Sequence, residues 1–90
     1  METEIDQTDR PRLARLFRLQ WEPAQDAYVL LYPEGMVKLN RSAAEILKRC
    51  DGASTVPAIV AQLETAFAVS GLAGDVQGFM ADAQQRGWLV

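Results

Sequence analysis

YPEGMVKLNRSAAEIL, residues 32–47, predicts the fold, because in this stretch a short strand runs directly into a helix. Asn40 is a favoured helix N-cap, since its side-chain oxygen can accept a hydrogen bond from an unpaired amide of the first helical turn. The strand before it is therefore predicted over 35–39, after a Pro-Glu-Gly turn from an apolar strand over 27–32. No later segment resembles another long strand. We therefore expect the outer edge of the 35–39 strand to be open to a partner strand.

The rest of the chain supplies one more strand and three helices. Apolar and polar residues alternate over 16–21, which is the period of a half-buried strand. Apolar stripes at helical spacing predict helices over 41–50 and 56–68, and a third from an Asp75 N-cap to about Arg86. Short loops join the strands in sequence order. The predicted architecture is α+β: a three-stranded antiparallel meander followed by three helices, in a layout close to a winged helix.

The ends of the chain differ in character. Residues 1–15 are polar, contain Pro11 and lack a sustained period, so we expect a flexible N-terminal arm followed by one domain over 16–90. Four arginines lie close together at the end of this arm: Arg10, Arg12, Arg15 and Arg18. Such a group is typical of a solvated arm, although it could also contact an acidic partner.

The composition excludes most catalytic chemistry. The chain has no histidine, so Ser/His/Asp and Cys/His catalytic groups and most zinc sites are impossible. Its carboxylates are scattered over the polar tail, a hairpin loop and the polar sides of helices. The single cysteine, Cys50, falls on the apolar side of a predicted helix and is expected to be buried. We expect no enzymatic activity, no cofactor and no metal.

Charge and hydropathy narrow the partners. The longest apolar runs, 27–32 and 56–61, are too short to cross a bilayer, and the acidic start is unlike a signal peptide. We therefore expect a cytoplasmic protein with no membrane partner. A winged-helix DNA-binding or regulatory module is the alternative interpretation. The third predicted helix argues against nucleic acid, because it carries Asp75 and Asp82 with a single Arg86.

Several motifs resemble one known family. They are Trp21 with Glu22-Pro23, the block LLYPEGMVKLN over 30–40, Ser42-Ala43 with Glu45-Ile46-Leu47, Asp51-Gly52, Val56 with Ile59, and the terminal Gly87-Trp88-Leu89. Together they are similar to PqqD, the peptide chaperone family of pyrroloquinoline quinone (PQQ) biosynthesis, from about Arg10 to Leu89. The resemblance implies a non-catalytic domain that binds the precursor peptide PqqA. It also implies presentation of that peptide to PqqE, a radical S-adenosylmethionine enzyme that cross-links a glutamate to a tyrosine.

The resemblance also implies where the peptide binds. Its leader would lie antiparallel beside the third strand, whose backbone hydrogen bonds would come from Met36, Val37, Lys38 and Leu39. The third helix would form the opposite wall, with candidate lining residues Val76, Phe79, Met80, Ala83 and Gln84. Phe79 and Met80 lie about 100° apart on the helix, and we assign Met80 to the groove because its flexible thioether suits varied side chains. The same open edge could capture a second copy of the chain, giving a homodimer.

Overall fold

The computed structural model describes residues 10–90, and the predicted α+β fold is confirmed within them. The strands are β1 (Arg18–Glu22), β2 (Ala27–Tyr32) and β3 (Gly35–Lys38), with a short 3₁₀ turn over Pro23–Gln25 between β1 and β2. The helices α1 (Arg41–Lys48), α2 (Val56–Phe67) and α3 (Ala73–Gln85) follow.

The strands form an antiparallel sheet in the order β1-β2-β3. Pro33 and Glu34 make the tight turn between β2 and β3, so that Tyr32 pairs with Gly35 and Leu30 with Val37. Because β2 lies in the middle, β1 and β3 are the two edges of this sheet among residues 10–90.

All three helices cover the same face of the sheet. Leu30 of the central strand is fully buried in one apolar cluster with residues of every helix, and Leu19 and Val37 pack against that cluster from the edge strands. The buried residues from the helices are Ala43, Ala44, Ile46, Leu47, Val56, Ile59, Val60, Leu63, Val76, Met80 and Ala83. The opposite face of the sheet therefore has no helix of the described region against it.

Two of the three predicted helix starts are confirmed by their caps. Asn40 Oδ1 accepts a hydrogen bond of 2.8 Å from the Ala43 amide, and Thr55 Oγ1 accepts one of 3.3 Å from the Ala58 amide. The predicted Asp75 cap of α3 is wrong, because α3 begins at Ala73. The Leu72 amide at its start donates to Glu64 Oε2 of α2 at 3.0 Å, so a carboxylate from another helix performs the capping role.

The segment around Arg12 pairs with the last residues of the chain beside the core. The Arg12 amide donates to the Val90 carbonyl and the Val90 amide to the Arg12 carbonyl, while the Ala14 amide donates to the Trp88 carbonyl. The Gly52 amide, in the loop after α1, donates to the Pro11 carbonyl, so this segment is also hydrogen-bonded to that loop. Part of the arm predicted over 1–15 is therefore hydrogen-bonded structure, and residues 1–9 lie outside the described residues.

Candidate functional site

The open edge of β3 offers backbone groups from alternate residues only. In an antiparallel pair, residues alternate between those that bond to the neighbouring strand and those that point away from it. The Leu39 amide donates to the Tyr28 carbonyl at 3.0 Å, so Leu39, and by alternation Val37, point their backbone groups toward β2. Met36 and Lys38 therefore point their N–H and C=O groups outward, where no described segment pairs with them.

This alternation corrects the predicted set of backbone donors on the third strand. Leu39 cannot offer its amide to a peptide, because that amide is already hydrogen-bonded within the sheet. The same alternation assigns the backbone groups of Val37 to β2. Met36 and Lys38 keep the predicted role, and their four outward groups form the edge site.

The other edge of the sheet has its own outward groups. The backbone N–H and C=O groups of Leu30 bond to β3, so Leu30 makes no backbone hydrogen bond with Leu19, its partner on β1. The same holds for Trp21, two residues after Leu19. The outward groups of β1 therefore belong to Leu19 and Trp21, which makes β1 the internal comparison for any test of β3.

Side chains of β3 also alternate, between the helix side and the outer side of the sheet. Val37 pairs with Leu30 and faces the helices, and Leu39 is buried in the core cluster. Met36 pairs with Leu31 and Lys38 with Val29, so both side chains project to the outer side. Met36 and Lys38 thus contribute backbone, and not side chains, to any groove between β3 and the helices.

The structure divides the predicted α3 wall into core and surface residues. Met80 is 0 % exposed, so its assignment to the groove is wrong. Val76 and Ala83 are buried with it, because these three residues form the stripe that packs on α2 and the sheet. Phe79 is partly exposed at the edge of the core, and Gln84 is exposed.

Phe79 and Gln84 do not share a face. Five residues of an α-helix correspond to a rotation of about 140°, so these two side chains flank the buried stripe on opposite sides. Asp75 lies four residues before Phe79 and hence on its side. Asp75 also lines a hollow together with Ser42 and Glu45, so the Phe79 side of α3 is the one turned toward α1, which follows β3 in the chain.

This hollow is an apolar cavity of about 220 Å³ between the three helices. Its lining residues are Ser42, Glu45 and Ile46 of α1, Leu63 and Phe67 of α2, and Val69, Leu72, Asp75 and Val76 around the start of α3. Phe67 and Val69 remain 36 % and 48 % exposed, which is unusual for large apolar side chains that face a cavity. Val69 and Leu72 were not predicted as site residues, although two isolated apolar residues in a Ser/Gly-rich loop are a signal for them.

Glu45, one of the two carboxylates that line the hollow, is paired with nearby cations. Glu45 Oε1 accepts a 2.9 Å hydrogen bond from Arg49 Nη1, and Lys48 Nζ lies 3.2 Å from Glu45 Oε2. The Arg49 hydrogen bond is the main reason that the pKa of Glu45 is lowered. The Arg41 guanidinium lies 5.4 Å from the centre of the ring of Phe67, which lines the hollow. The carboxylate of Glu45 is thus ionised and held on α1.

The described residues offer no reactive thiol and no cluster of metal ligands. Cys50 is buried as predicted, and burial raises the pKa of its thiol to about 12, so it is not a nucleophile near neutral pH. No cluster of acidic or cysteine side chains within residues 10–90 could hold a metal ion. No helix in that range is long and apolar enough to span a membrane.

The surface of α3 is unlike that of a helix that reads DNA. Arg86 Nε donates to Asp82 Oδ2 at 2.9 Å, so the single arginine at the end of α3 is paired with a carboxylate of the same helix. Asp75 adds a further negative charge in the first turn. A helix in the major groove needs cations and amides directed at bases and phosphates. The α3 surface offers the amides Gln77, Gln84 and Gln85, but its arginine is already paired.

Comparisons with known proteins agree on one family. The family model for coenzyme PQQ synthesis protein D (PqqD) matches residues 27–89. A relative from Azotobacter vinelandii, named PqqA binding protein, is 52 % identical over 88 residues, which cover 97 % of this chain and 96 % of the relative. A Pseudomonas aeruginosa protein with the same name is 55 % identical over 80 residues, covering 88 % and 87 %.

A solved structure shows the same fold. It is the solution NMR structure of the PqqD truncation of Methylobacterium extorquens PqqCD, described as a functional, stand-alone recognition element for ribosomally synthesized and post-translationally modified peptides. The TM-score is 0.81 at 30 % identity, and the match covers 100 % of this chain and 99 % of the other.

Proposed function

This chain belongs to the PqqD family, and from that premise we propose that it binds the precursor peptide PqqA by strand addition and presents it to the radical S-adenosylmethionine enzyme PqqE. Its role is non-catalytic, because its relatives are named for binding and the solved relative is a recognition element. The expected cytoplasmic location is part of the same proposal.

The open edge of β3 is the observation that carries this proposal. Met36 and Lys38 point unpaired N–H and C=O groups away from β2, and a peptide strand can bond to both residues. These backbone bonds provide affinity that depends little on peptide sequence, because every residue except proline has both groups. Sequence specificity must then come from side-chain pockets.

The hollow beside α1 is placed to supply that specificity. A peptide antiparallel to β3 has its N-terminal part at the Lys38 end, where the chain turns into α1. Ser42 and Glu45 in α1 lie on one side of the hollow and Asp75 on the other. We propose that the peptide continues past β3 and places an apolar side chain against Phe67 and Phe79.

Two binding measurements test the proposal. Purified protein should bind labelled PqqA, and a PqqA of scrambled sequence should bind much more weakly, because it keeps the backbone groups and loses the matched side chains. Sedimentation of protein, PqqA and PqqE together should then show a ternary complex. Equal binding of both peptides would contradict specific recognition, and a ternary complex that never forms would contradict presentation.

A further inference from the structure

The face of the sheet opposite the helices carries an exposed apolar strip. Arg18, Leu31 and Met36 lie side by side across the three strands, and so do Gln20, Val29 and Lys38. Leu16 precedes Arg18 on the same side, and these two residues line a shallow hollow with Leu31, Tyr32 and Pro33. We define the outer sheet face as Leu16, Arg18, Gln20, Leu31, Met36 and Lys38.

This face combines apolar area with positive charge. Leu16, just before β1, is 64 % exposed and Met36 on β3 is 49 % exposed, so two large apolar side chains of this face contact solvent. Val29, in the central strand on the same side, is fully buried and is not part of the face. Arg18 lies on one edge strand and Lys38 on the other, so a cation stands on each side of the strip. None of these six residues is acidic, and Glu22, which ends β1, is the one acidic residue of β1 on the same side of the sheet. A complementary partner surface is therefore apolar at its centre and carries carboxylates at its rim.

A bound peptide would enlarge the same face. If a strand adds to β3, every second side chain of that strand projects to the outer side, next to Met36 and Lys38. The protein that receives the peptide could then contact the outer sheet face and those peptide side chains together. The helix side of the sheet cannot serve in this way, because the core covers it.

We propose that the outer sheet face is the docking surface for the enzyme that accepts the peptide, which contacts it through an apolar patch rimmed by carboxylates. This inference rests on the proposed function. Because the bound peptide forms part of the contact, enzyme and peptide strengthen each other's binding, and the coupling is reciprocal.

The test compares single variants at two exposed arginines. Arg18→Glu reverses a charge on the outer sheet face, two strands away from the β3 edge. Arg12→Glu makes the same change where the side chain lies against Gly52, beside the end of α1, and serves as the matched control. Leu16→Ser removes exposed apolar area and leaves the core cluster intact. Melting curves of all three variants check folding.

We expect Arg18→Glu and Leu16→Ser each to weaken PqqE binding by about tenfold, with PqqA affinity unchanged. Arg12→Glu should keep wild-type affinity for both. PqqE affinity of the wild type should fall with added salt, and Arg18→Glu should show a smaller salt dependence. PqqE should also bind more tightly when PqqA is present.

The outcomes separate this inference from the proposed function. In one outcome, the wild type binds both PqqA and PqqE, and Arg18→Glu and Leu16→Ser bind PqqE as tightly as the control Arg12→Glu does. That result refutes the docking surface and leaves peptide recognition in place. If the wild type binds neither PqqA nor PqqE, the proposed function fails and the inference fails with it.

Discussion

Met36 and Lys38 each contribute to two surfaces, because the backbone and the side chain of a strand residue point in different directions. Their N–H and C=O groups point out of the edge of β3, in the plane of the sheet, while their side chains project from its outer face. A side-chain substitution at Lys38 can therefore alter the outer sheet face and leave the hydrogen bonds of the edge in place.

At α3, two neighbouring residues lead to opposite expectations for stability and binding. Met80 is fully buried, and Phe79 is partly exposed at the edge of the core. Met80→Ala should therefore lower the free energy of unfolding by about 2–5 kcal/mol. Phe79→Ala should lower it less and weaken PqqA binding by about 1–2 kcal/mol. Urea unfolding and peptide titration of both variants measure this, and a Met80→Ala protein of normal stability with weak peptide binding would refute the assignment.

Two glycines provide a second prediction, on stability alone. Gly78 lies inside α3 with nothing within 4 Å of an added Cβ, so Gly78→Ala should raise the free energy of unfolding by about 0.5–1 kcal/mol. Gly87 has φ +82°, which a residue with a Cβ adopts at a cost of about 1–2 kcal/mol, so Gly87→Ala should lower it. Thermal unfolding of both variants checks the opposite signs, and a stabilising Gly87→Ala would contradict the backbone described at the end of α3.

At the scale of elements, local chemistry accounts for what the sequence predicted. Asn40 and Thr55 cap their helices with their own side chains, and the turn at Pro33-Glu34 fixes β2 and β3, so these boundaries follow from neighbouring residues. The start of α3 does not, because its capping carboxylate, Glu64, belongs to α2.

The side of α3 that faces the groove could not be predicted from the sequence either. Val76, Phe79, Met80 and Ala83 all lie within about 100° of the helix circumference, so a stripe pattern identifies the apolar side and not its exposed margin. Only the packing of α3 against α2 and the start of α1 puts Met80 inside and Phe79 at the margin. The open edge itself was predictable, since it needs only the number and order of the strands.

A proline in β3 tests whether the edge binds through its backbone. Lys38→Pro removes an outward amide that takes no part in the β2–β3 pairing, so the protein should still fold. The variant loses that hydrogen bond and places the proline ring at the strand edge, and PqqA binding should therefore weaken by about tenfold. Lys38→Ala is the control, because it removes the side chain and keeps the amide. Peptide titration of the two variants decides, and equal losses would mean that the lysine side chain and not the backbone is recognised.

At the scale of the whole molecule, the sheet has two free edges in residues 10–90 and a small core. An open strand edge also attracts a second copy of the same strand, so the predicted homodimer and the peptide would compete for β3. Sedimentation at rising protein concentration should show a dimer that dissociates as PqqA is added. A dimer fraction that PqqA leaves unchanged would show that the two use different surfaces.

Amide hydrogen exchange at β3 measures whether PqqA adds to this strand. In free protein the Met36 and Lys38 amides should exchange fast, and the Leu39 amide, bonded to Tyr28, should be protected together with that of Val37. With free PqqA at about 100 times its Kd, exchange at Met36 and Lys38 should slow by up to about 100-fold. Amides of Met36 and Lys38 that stay fast, while those of Leu19 and Trp21 on β1 become protected, would contradict the account.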